Sequence, residues 1–68
     1  MTRIKVDEVE ISDLIRIEHK GALLPVSVSD IQYRPRALIL SVTTEDELQS
    51  FEVSFPYGTP VEMIKAAL

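Results

Sequence analysis

Asp7, Glu8, Glu10 and Asp13 place four carboxylates within seven residues. That density can hold Ca²⁺ or Mg²⁺, or supply the paired groups of general acid–base catalysis. The set lacks the glycine and the ordered alternation of an EF-hand loop, and acid–base work needs a pocket for which so short a chain has little room. Its expected role is a solvated charge cluster that protects a sheet edge. Glu45-Asp46-Glu47 reads the same way, as a hairpin tip. His19 is the one histidine, a residue able to act as a base or a pH switch. It stands beside Lys20-Gly21, with no serine in a nucleophile-elbow pattern, and is expected to be a surface turn residue. With no cysteine, one histidine and only Gly21 and Gly58 as glycines, thiolate sites, multi-histidine sites and phosphate-binding glycine loops are excluded within the chain. Neither a cofactor nor an enzymatic activity is expected.

Tyr33-Arg34-Pro35-Arg36 is the sharper constellation. An aromatic ring beside two guanidinium groups can stack a base and contact phosphates, with Lys20 and His19 adding to the patch. The same arginines can grip a carboxylate on a protein partner. The chain carries a net charge of −4, which disfavours nonspecific contact with nucleic acid or an anionic membrane. A further signal is an apolar surplus. Leu14, Leu23, Leu24, Ile31 and Ile39 fall outside the main inward parity of their runs, and apolar side chains left over from a thin domain tend to meet a partner.

These side chains need elements to hold them. Residues 1–57 run in short stretches of period two, the mark of half-buried strands. Ile4 and Val6 share one face, and the apolar parity then moves to Val9, Ile11, Ile15 and Ile17, which places a bulge or turn near Asp7–Glu8. A helix over 8–18 competes, but four of its five apolar residues share one strand face, so strands at 9–11 and 13–18 are preferred. Residues 19–22 turn, and 23–29 return as a strand with Val26 and Val28 inward and Pro25 at an edge or bulge. Residues 37–44 form the central strand, paired antiparallel with 50–55 across the charged tip. Thr59-Pro60-Val61-Glu62 then reads as a helix start: a capping hydroxyl, a proline at the first helical position and a capping-box glutamate. The predicted helix covers 60–68 and docks through Val61, Ile64 and Leu68, with Lys65 off that stripe.

Sixty-eight residues make one domain, expected to span 1–68. A chain this short usually needs a staple, and without cysteine or clustered histidine the staple left open is association. No apolar leader precedes Glu8, and the longest apolar run, Ala37-Leu38-Ile39-Leu40, is too short to span a bilayer. The expectation is a cytoplasmic protein with no membrane segment. The expected fold is α+β but mainly β: a meander-like antiparallel sheet of four to five strands with one C-terminal helix, or alternatively a small curled β-barrel with that helix. The expected function is a non-catalytic interaction or assembly module, a homodimer or a small subunit of a complex. Its partner-binding residues are Tyr33, Arg34, Arg36, Leu23, Leu24 and Ile39, and edge residues near 23–29 or 3–6 form its seam. The alternative is a small β-barrel that binds nucleic acid through Tyr33, Arg34 and Arg36.

Overall fold

Alternation of apolar and polar residues governs nearly the whole chain, and the chain answers with strands. A computed structural model describes residues 2–46 and 48–67. Among these residues six strands form one antiparallel sheet: β1 (Thr2–Lys5), β2 (Leu14–His19), β3 (Ala22–Tyr33), β4 (Ala37–Thr44), β5 (Ser50–Pro56) and β6 (Pro60–Lys65). Their order is β1-β6-β2-β3-β4-β5. From β2 to β5 the chain is a meander, and β6 then crosses back to lie between β1 and β2. The sheet is open, with β1 and β5 at its edges, yet strongly curled. His19 on β2 stacks on Phe51 of β5 with ring centroids 4.1 Å apart. In a flat sheet the three strand spacings between them would hold these residues about 14 Å apart.

Curling lets one face of the sheet enclose the core. Ile15 and Ile17 of β2, Val26 and Val28 of β3, Leu38, Leu40 and Val42 of β4, and Val61 of β6 are buried together with Val6 and Val9. The parity break expected near Asp7–Glu8 is a turn of 3-10 helix at Val6–Glu8. The strand expected at 13–18 is β2, and the hairpin expected from 37–44 and 50–55 is β4–β5, paired from Thr43↔Ser50 to Ala37↔Pro56. Residues 9–11 are not a strand. Asp13 draws that segment into a loop, its carboxylate accepting the Glu10 N–H at 2.9 Å, and Ser12 takes a φ of 77°.

The main correction is the C-terminal segment. Residues 60–65 are strand β6, not a helix, and the strand count is six rather than four to five. The Thr59 hydroxyl caps no helix; it donates to the Pro56 carbonyl at 2.6 Å within a tight turn. Glu62 reaches Arg16 rather than a helix terminus. A helix of at most nine residues is marginal in water, whereas β6 gains ladders with both β1 and β2. Val61 and Met63 then point into the core with period two, and the same alternation puts Ile64 on the outer face, exposed. Of the expected docking stripe only Val61 is buried; Leu68, like Met1 and Glu47 of the hairpin tip, lies outside the described residues.

β2 and β3 bring three smaller corrections. It is an interior strand, so Pro25 is not at an edge; Pro25 lies one residue beyond the last β3–β4 pair, Val26↔Thr44, where no ladder bond needs its missing N–H, and its carbonyl accepts from Glu45. A bulge between Val28 and Asp30 then switches the inward parity. Ile31 thereby packs on the core, as does Leu24, so the apolar surplus on the outer face shrinks to Leu14, Leu23 and Ile39. Finally, His19 belongs to β2 and is half-buried rather than an exposed turn residue. The turn itself is Lys20-Gly21, with φ of 54° and 80°, a type I′ geometry that matches the twist of the flanking strands. Nothing lies within 4 Å of a Cβ placed on Gly21, so Gly21→Ala should cost only the backbone term, about 1 kcal/mol. Urea unfolding checks this; a neutral substitution would mean that the turn relaxes to another type.

Candidate functional site

Three places on the described surface bring polar and apolar groups together, and each is set by where a ladder ends. The first is the β3–β4 turn. Tyr33 pairs with Leu38, and the Arg34 N–H donates to the Ala37 carbonyl at 2.9 Å, which closes the turn over residues 34–36. Tyr57, just past β5, donates its hydroxyl to the Arg34 carbonyl at 2.6 Å, and the Arg34 guanidinium reaches the Gln32 side chain at 3.2 Å. Tyr33, Arg34, Arg36 and Tyr57 thus share one end of the sheet, all exposed. Tyr57 was not singled out from sequence, although the β4–β5 register that places Ala37 opposite Pro56 sets it beside this turn.

The rest of the expected set does not join them. Leu23 and Leu24 sit at the opposite end of β3, Leu23 outward and exposed, Leu24 inward, and Ile39 is half-buried on the outer face of β4. His19 and Lys20 lie at that far end too, which splits the wider basic patch. The carboxylates are also dispersed, as backbone acceptors. Asp7 accepts the Gly58 N–H at 2.7 Å, where Gly58 has a φ of 84° in the turn between β5 and β6. Asp13, only 2% exposed, accepts the Glu10 and Ala67 N–H groups. Asp7 and Asp13 thus act as structural ties, while the exposed Glu8 accepts the Lys5 N–H on the β1 edge, in keeping with the edge-protecting role expected, and no group of three His, Cys, Asp or Glu fit for a metal occurs among the described residues.

The second place is a cleft between β2 and β6. The Val6 N–H bonds the Thr59 carbonyl, which sets even-numbered residues of β6 to face β2. Their ladder ends at Arg16↔Glu62. The next pair in phase would join Glu18 to Pro60, and Pro60 has no N–H to give. The strands part there into a cleft of about 430 Å³, its polar lining including Arg3, Arg16 and Glu62 and its apolar lining Ile17, Val61 and Phe55. Arg16 and Glu62 are ion-paired across it at 2.6 Å.

The third place is the pair of sheet edges, which differ sharply. The β1 edge is four residues long, carries Arg3 and Lys5, and has the Lys5 N–H taken by the Glu8 carboxylate at 3.2 Å before the chain turns away. These are the features that blunt an edge against pairing. β5 is seven residues long, and β4 is the strand that pairs with it. The Thr44 N–H donates to the Gln49 carbonyl at 2.8 Å. Hydrogen-bonding direction alternates along a strand, so Phe51, Val53 and Phe55 bond β4, while Ser50, Glu52 and Ser54 turn their N–H and C=O groups to the open side. The Ala37 carbonyl, bonded to Arg34 on the other side of β4, agrees with this phase. The inward side chains report the same gap. Leu38, Leu40 and Val42 are fully buried on β4, whereas Phe51, Val53 and Phe55 opposite them are only half-buried. The edge is thus both unpaired and incompletely covered.

The chain matches no known protein family, no curated protein and no solved structure. No helix among the described residues is long and apolar enough to cross a membrane. The functional reading therefore stands on these three places alone. Sequence alternation marked β5 as a strand, but its position at an edge depends on β6 inserting between β1 and β2, which no local signal carries.

Proposed function

We propose that the protein is a non-catalytic assembly module that takes a partner strand along the open side of β5. One observation carries the reading: of the two edges, β1 is short, basic and capped by Glu8, while β5 is longer, carries Glu52 as its one charge and leaves three apolar side chains half-covered. Strand addition at such an edge draws affinity from main-chain hydrogen bonds and specificity from alternate side chains. Residues 23–29, where a seam was expected, lie on an interior strand with β2 and β4 on either side, and residues 3–6 fall on the blunted edge.

Ser54→Pro tests the reading. It removes an N–H that faces the open side, and proline is tolerated on an edge strand with that orientation. Association, followed by light scattering and by capture of partners from lysate, should be lost in Ser54→Pro and kept in Arg34→Ala. Association that survives Ser54→Pro, or a chain that associates with nothing, overturns it.

The gathering of Tyr33, Arg34, Arg36 and Tyr57 supports a second reading, contact with single-stranded nucleic acid. Salt separates the two. Nucleic-acid binding weakens steeply as salt rises, whereas association of chains that each carry −4 should strengthen as their repulsion is screened.

A further inference from the structure

We infer that the strand received by β5 is the β5 strand of a second copy, antiparallel, with the two-fold axis at Val53, an inference that rests on the edge reading above. The backbone phase allows few arrangements. Pairing across a two-fold axis must bring together residues that face the open side, namely Ser50, Glu52 and Ser54. An axis at Glu52 would set Glu52 directly against its own copy on the outer face, and like charges directly opposite destabilise a pair. It would also leave Phe55 facing Gln49, beyond the strand. An axis at Ser54 would set both Ser50 and Phe51 opposite residues beyond the strand end, Gly58 and Tyr57. An axis at Val53 keeps every residue of β5 opposite another strand residue: Glu52 lies against Ser54 of the other copy, so the carboxylate meets a hydroxyl, and Pro56, which has no N–H, falls at the outermost pair, opposite Ser50. On the inner face it sets Phe51 against Phe55 and Val53 against Val53.

This register covers the three side chains that one copy leaves half-buried. Aromatic and β-branched cross-strand pairs are the stabilising units of a sheet, and all the apolar residues of β5 enter such pairs. The arrangement is isologous and closes on itself, so it yields a dimer and no filament. It also supplies the staple that a chain this short and without cysteine otherwise lacks.

The absence of cysteine makes the register measurable, because a single introduced thiol is unique. With the axis at Val53, residue 53 faces its own copy as a non-hydrogen-bonded pair with Cα atoms about 4.5 Å apart, within disulfide reach. Val53→Cys should therefore oxidise to a linked dimer about ten times faster than Glu52→Cys, whose thiols lie off register. The linkage should vanish when Ser54→Pro is added. In the wild-type protein, a mixture of differently labelled copies should show intermolecular contacts between Phe51 and Phe55 by NMR, which needs no substitution. Faster linkage at Glu52→Cys overturns the register and leaves the edge reading standing. A wild-type monomer that captures another protein through β5, with the capture lost in Ser54→Pro, overturns the second copy as occupant and again leaves the edge reading standing. A dimer that persists through Ser54→Pro overturns both.

Discussion

Asp13→Ala is expected to lower stability by about 3 kcal/mol, from the loss of two hydrogen bonds to a charged acceptor. One Asp13 carboxylate oxygen accepts the Ala67 N–H at 2.7 Å and the other accepts the Glu10 N–H at 2.9 Å. Its backbone joins the same knot: the Asp13 N–H reaches the Glu10 carbonyl, and the Asp13 carbonyl accepts the Val28 N–H. Two effects oppose each other here. Burying a carboxylate is costly, and alanine removes that cost. Alanine also removes the acceptor from two part-buried N–H groups, and losing a hydrogen bond to a charged group costs about 1.5–3 kcal/mol each. The second effect wins, because both donors belong to the backbone and stay in place when the side chain is gone. A loss of this size corresponds to a fall in Tm of about 15 °C for a small domain. Thermal unfolding measures it, and amide exchange at Glu10 and Ala67 locates it. A loss below about 1 kcal/mol, the worth of an ordinary neutral hydrogen bond, would show that the carboxylate is not the tie.

Asp13 also shows what the sequence carried and what it withheld. Its type and its neighbours Asp7, Glu8 and Glu10 suggested charge chemistry, yet its partner Ala67 lies 54 positions away. Local patterning was sufficient where partners are close in sequence. The β4–β5 hairpin, the turn at Lys20-Gly21 and the break after Lys5 all follow from alternation and turn residues. It failed at Thr59-Pro60-Val61-Glu62, where a helix start and a strand leaving a tight turn look alike. There the deciding term is pairing with β1 and β2, from the far end of the chain. Val61 and Met63 held the period-two signal, and the apolar Ile64 on the outer face blurred it. The same long-range insertion makes β1 and β5 the edges, so the open side of β5 was not legible beforehand. The arginine turn was legible as Tyr33, Arg34 and Arg36, because it is local; Tyr57 joins it through the β4–β5 register.

Leu40→Ala should cost about 3 kcal/mol, within the range for truncating a buried leucine. Leu40 is fully buried on β4, which is not the central strand expected from sequence but the one next to the β5 edge, and it faces Ile31 of β3 and Val53 of β5 across its two ladders. A domain of this size has roughly 3–10 kcal/mol of total stability, so the substitution takes a third or more of it. Shape separates this from a general intolerance at the position: Leu40→Met keeps the volume and should cost less than about 1.5 kcal/mol. The pairing of Leu40 with Val53 ties the core to the open edge. If β5 receives a second copy, the dimer stabilises the folded chain by mass action. The urea midpoint of Leu40→Ala should then rise with protein concentration, and the rise should disappear when Ser54→Pro is added. Equal losses for Leu40→Ala and Leu40→Met would mean that packing around Val53 is not what holds β5 in place. A midpoint independent of concentration would separate the core from the edge, and the domain would then stand on its own burial.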